Sequence, residues 1–78
     1  MIGLIIYKSG DEYFCNYELG KIPKPLPGSE VIFSHKLNYL GKPKSELHDL
    51  FLMAKQELQR RGIELAEIQG CQGLNEIK

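Results

Sequence analysis

Met1-Ile2-Gly3-Leu4-Ile5-Ile6-Tyr7-Lys8 opens the chain, and its reading decides the fold. Ile2, Leu4 and Ile6 recur at period two, while Ile5 and Tyr7 make the alternate side apolar as well. A strand that is apolar on both sides wants cover on both, which predicts a central place in a sheet. No basic segment precedes the run, and Lys8 ends it far short of the roughly 20 residues of a membrane helix or of an export signal. No membrane partner is expected, and the expected location is cytoplasmic.

Outward from this strand, Ser9-Gly10-Asp11 is turn chemistry, because Gly accepts positive φ and Ser or Asp bonds the local backbone. Beyond it Tyr13, Cys15, Tyr17 and Leu19 alternate with Glu12, Asn16 and Glu18, the pattern of a second strand with one wet face. Phe14 is the apolar exception on that wet face. From Gly20 to Gly28 the prolines Pro23, Pro25 and Pro27 lack the N–H that a sheet ladder needs and favour a stiff extended path. A third strand is expected with Val31, Phe33, Leu37 and Tyr39 on its core face together with His35. Ile32 and Leu40 fall on the wet side. Gly41-Lys42-Pro43 ends it.

Leu47, Leu50, Phe51, Ala54 and Leu58 then fall within about 100° of one another at 3.6 residues per turn, which predicts a helix with one core-facing stripe. Ser45 suits its N-cap, Arg60 and Arg61 its negative end, and Gly62 its left-handed stop. Ile63, Leu65, Ala66 and Ile68 suggest a short last strand with a bulge near Ala66. Residues 70–78 read as a loosely ordered tail tied down by Leu74 and Ile77. The order β-β-β-α-β predicts an α+β fold: a four-stranded, mainly antiparallel sheet with one helix packed on one face. Seventy-eight residues hold one domain over 1–78.

The composition, 42% hydrophobic and 26% charged, is that of an ordinary folded chain. Lys plus Arg and Asp plus Glu are both 10, so no whole-molecule field attracts a polyanion. Two cysteines are too few for a disulfide scaffold, and both are expected as free thiols. Cys15, His35, His48 and Cys71 contain no C-x-x-C or H-x-x-x-H pair, so neither metal nor cofactor is expected. The sequence also lacks G-x-S-x-G, H-E-x-x-H and a Walker loop, which leaves a minimal enzyme or metal protein as the last of three readings. That reading would regain interest if Cys15, His35 or Cys71 clustered in space.

The leading expectation is a non-enzymatic protein-interaction or regulatory protein, acting as a homodimer or on another protein. It rests on more apolar positions than one helix covers: Phe14 and Ile32 on the sheet, and Leu52 and Met53 on the helix. Leu52 and Met53 point about 140° and about 240° around the wheel from Leu47, off the core stripe. The alternative is a nucleic-acid-binding module in which Lys21 and Lys24 of the proline loop join Lys42 and Lys44 before the helix in one phosphate-binding patch.

Overall fold

The computed structural model describes residues 1–76. It is an α+β fold in which β1 (Ile2–Ser9), β2 (Glu12–Leu19), β3 (Glu30–Leu37) and β4 (Ile68–Gln69) form one sheet with α1 (Pro43–Arg61) on one face. The strand order is β3-β1-β2-β4. β1 pairs antiparallel with both β2 and β3, whereas β4 runs parallel to β2 through Tyr13↔Ile68 and Phe14↔Gln69. The two-residue β1–β2 connection has Gly10 first at φ 63°, as a type II′ turn requires.

β1 occupies the centre, as its two apolar sides demand. Ile2, Leu4 and Ile6 join Cys15, Ile32, Leu50, Phe51, Ala54, Leu58, Ile68 and Leu74 in the core beneath the helix. On the opposite face Ile5 and Tyr7 are also buried, and Tyr7 stacks on Phe14 with ring centroids 5.5 Å apart. The start of the proline loop packs on this second face at Gly3. An ideal Cβ on Gly3, which points away from the helix, would lie 2.5 Å from Ile22 Cα. The chain therefore covers part of its own second sheet face, where a second copy had been one way to cover it.

α1 begins earlier than expected, with Pro43 in its first turn and Lys42, not Ser45, as N-cap. Proline suits that position because its missing N–H would have no helical partner. The end is as read: Gly62 at φ 74° donates to Gln59 O and Ile63 donates to Leu58 O, the two bonds of a Schellman stop. Both Arg60 and Arg61 pair with Glu57, at 3.2 and 3.1 Å.

Three regions depart from expectation. The β1–β3 register slips between Ile6 and Tyr7: Ile6 faces Phe33 and Tyr7 faces Val31, so Ile32 is a bulged extra residue. The bulge turns Ile32 into the core and leaves Val31 on the far face, 46% exposed, which reverses the expected sides of both. The expected last strand from Ile63 is instead a 3-10 turn, Leu65–Glu67, followed by the two residues of β4. The expected loose tail contains a second 3-10 turn, Gln72–Glu76, whose Leu74 is only 1% exposed. Burying a leucine side chain contributes about 1.5–3 kcal/mol toward holding this short turn against the core. Ile77 lies outside the described residues.

Cys15 and Cys71 are not free thiols. They form a disulfide across a separation of 56 residues, their Cα atoms 5.6 Å apart. Gly70 at φ 85° and Cys71 at φ 47° turn the chain back over β2 so that the two sulfurs meet.

Candidate interaction surface

At one end of the sheet, Ile2 is flanked by Leu19 on β2 and Leu37 on β3. The segment leaving Leu37, residues 38–42, turns there into the helix. Two bonds from Tyr39 fasten it: the backbone N–H donates to Glu46 Oε2 at 2.6 Å and the hydroxyl donates to Asp49 Oδ2 at 2.7 Å. The next residue, Leu40, donates its N–H to Asn38 Oδ1 at 3.2 Å. Leu40 has φ 53°, and Gly41 follows at φ 90°. A left-handed conformation costs an L-residue with a Cβ about 1–2 kcal/mol. Leu40 bears this strain while 90% exposed.

Glu46 makes the fastening rigid. Lying four residues before Leu50, it falls at the flank of the buried stripe and is itself fully buried. Its second oxygen, Oε1, lies 3.5 Å from the amine of Met1 and has no hydrogen-bond partner among the described residues. Around Asp49 the hydrogen bonds act on titration. The Tyr39 hydroxyl, and after it His48, holds the Asp49 carboxyl below its usual value, and the same bond to Asp49 raises the Tyr39 phenol.

Leu19, 70% exposed, lies at the same end of the sheet as this segment, and β3 has β1 as its one strand neighbour among the described residues. The end thus combines a strand edge with Leu19, Tyr39 and Leu40.

The chain matches no protein-family model, no curated protein and no solved structure.

Of the residues singled out by sequence, Cys15 and Cys71 are joined and Lys21 and Lys42 share one end of the sheet, whereas the apolar candidates form no common surface. Leu52 and Met53 are half-buried rather than exposed, Phe14 is half-buried against Tyr7, and Ile32 belongs to the core. Lys21, Lys24, Lys42 and Lys44 are all exposed. Lys21 follows Gly20, which donates to Met1 O, so Lys21 and Lys42 share the Met1 end. Lys21 is engaged by Glu18 at 3.7 Å, and Glu46 and Asp49 bring negative charge to the same end. His35 is exposed and faces Leu4 from β3, whereas Cys15 faces Ile6 from β2, so β1 stands between them. Among the described residues, no group of three or more His, Cys, Asp or Glu is placed to hold a metal ion. No helix there is long and apolar enough to cross a membrane.

Sequence reading placed Leu40 on the wet side of the third strand but not among the contact residues, because one leucine beside a Gly-Lys-Pro break has no periodicity. Its one legible signal is that adjacent glycine and proline, which mark a turn where a large apolar side chain is out of place.

Proposed function

We propose that this protein is a small non-enzymatic interaction protein that works as a homodimer, with Leu40 as the anchor of the contact. One observation carries the reading: a large apolar side chain is held 90% exposed, on a left-handed backbone, by a loop fastened to the helix. Such a residue does little for the fold of a single copy, and strained backbone positions cluster at functional sites such as ligand clamps and switch regions. The position just beyond β3, whose outer edge lacks a strand partner among the described residues, supports a second copy as the occupant. Zero net charge gives weak mutual repulsion between copies.

The joined Cys15 and Cys71 weigh against the cytoplasmic expectation, under which both would be free thiols. Disulfides persist in oxidising compartments and cycle in reducing ones.

Light scattering over a range of protein and salt concentrations tests the reading. The parent should approach twice the monomer mass in a salt-resistant way, and Leu40→Asn should stay monomeric. A parent that remains monomeric at high concentration, or a dimer indifferent to Leu40→Asn, would sink the proposal. Mass gained only with short nucleic acids at low salt, and lost on charge reversal of Lys42 and Lys44, would favour the lysine-loop alternative instead.

A further inference from the structure

We propose that Cys71 is a thiol-exchange site at which a small external thiol opens the Cys15–Cys71 bond and frees the C-terminal turn from the core. The two cysteines of this bond differ in burial. Cys15 is 1% exposed, within the core cluster and facing Ile6 across the β1–β2 ladder. Cys71 is partly exposed, in the turn that passes over β2. Attack on a disulfide runs along the S–S axis through whichever sulfur the nucleophile reaches, so an external thiolate meets Cys71 while the core shields Cys15.

The exchange balances with the external thiol as its only co-reactant. The thiol gives its proton to solvent, its sulfur bonds to Cys71 Sγ, and the Cys15–Cys71 bond breaks. The electron pair of that bond goes to Cys15 Sγ, which takes up a proton. The external sulfur is oxidised, Cys15 is reduced, and Cys71 carries the mixed disulfide.

What the bond holds gives this site a consequence. Gly70 packs its backbone against the Cys15 carbonyl, so closely that a Cβ there would collide with it. Cys71 follows in the left-handed region, which residues with a Cβ rarely adopt. Beyond it Leu74 donates its N–H to Cys71 O and fills the core, and Gly73 lies against the Phe51 ring, where a Cβ would sit 3.0 Å from Cε2. With the bond open, the strained turn at Cys71 relaxes and the short segment carrying Leu74 leaves Phe51.

The test uses the purified chain, kept non-reduced, exposed to graded reduced glutathione and quenched with an alkylating agent before peptide mass spectrometry. The expected products are a glutathione adduct on the Cys71 peptide and an alkylated Cys15, together with a loss of amide-exchange protection that is complete at Leu74 and smaller in β1. A Cys15→Ser variant should take an adduct on Cys71 from oxidised glutathione, and a Cys71→Ser variant should leave Cys15 unmodified while folded. An adduct first on Cys15, a chain isolated with both thiols free, or unchanged protection at Leu74 after exchange would each overturn the proposal.

Discussion

Ile22 Cα occupies the space beside Gly3 where any side chain would begin, 2.5 Å from the ideal Cβ position. The colliding atoms belong to the backbone of the proline loop, so no flexible side chain can move aside. Gly3→Ala must lift that loop from the second face of β1. Overpacking that forces side chains and backbone to shift costs about 1–3 kcal/mol and occasionally more, and here backbone itself must move. Urea unfolding should therefore show a large drop in midpoint for Gly3→Ala. A loss under about 1 kcal/mol would mean that the loop does not seat on Gly3.

Leu40→Asn separates contact from folding. Asparagine tolerates the left-handed conformation that costs leucine about 1–2 kcal/mol, and its local hydrogen bonding suits the turn. At a concentration where the parent is monomeric, the variant should be up to about 1 kcal/mol more stable, a rise of roughly 4–8 °C in Tm for a domain of this size. Thermal unfolding monitored by circular dichroism checks this. A clear fall in Tm would show that Leu40 packs within the monomer and would remove it as an interaction anchor.

The Tyr39–Asp49 bond predicts a pH window. The Tyr39 hydroxyl, with His48 adding to it, lowers Asp49 from its ordinary 3.8, so this contribution is present above 3.8 and fades as pH falls through the lowered value. The hydrogen bond to Asp49 raises Tyr39 from its ordinary 10.0, so that contribution is present below 10.0 and fades as pH rises through the raised value. The fastening of residues 38–42 should thus hold between the two limits and loosen outside them. In Tyr39→Phe the Asp49 carboxyl should titrate closer to its ordinary range by NMR. An unchanged Asp49 titration would remove Tyr39 as the cause.

The hairpin, the central place of β1 and the helix were legible because each rests on local periodicity: Ile2, Leu4 and Ile6 at two, Leu50, Phe51, Ala54 and Leu58 at 3.6. What was missed depends on partners distant in sequence. Ile32 enters the core because β3 bulges against Ile6 and Tyr7, and no alternation within β3 announces a slip made by its neighbour. Ile22 and Gly3 meet through a chain reversal that hydropathy does not encode. Cys15 and Cys71 looked like isolated thiols because pairing over 56 residues follows from the return of β4 to β2, a parallel contact of two residue pairs. At the candidate surface, Tyr39 read as a strand residue, and its actual role needs Glu46 and Asp49, on a different element.

Glu46 offers a graded test of the buried fastening. Glu46→Gln keeps an oxygen to accept from the Tyr39 N–H but loses the charge facing the Met1 amine, and should cost about 1–2 kcal/mol. Glu46→Ala leaves that N–H without its partner and opens space beside Leu50, and should cost about 2–4 kcal/mol. Chemical unfolding of both variants checks the order. Equal stability of Ala and Gln would show that the acceptor does not hold Tyr39.

Reduction of the disulfide should weaken the whole fold as well as its C-terminal turn. A crosslink spanning 56 residues removes conformational freedom from the unfolded chain worth about 4 kcal/mol in the loop-closure treatment. A chain of 78 residues has a total stability of roughly 4–12 kcal/mol at ordinary values per residue. The crosslink is therefore comparable to much of the margin, and the reduced protein should unfold at clearly lower urea. Its denaturant dependence should also steepen, because an uncrosslinked unfolded chain exposes more surface. Paired urea titrations with and without excess dithiothreitol measure both effects, and superimposable curves would mean that Cys15 and Cys71 are not joined in the folded protein.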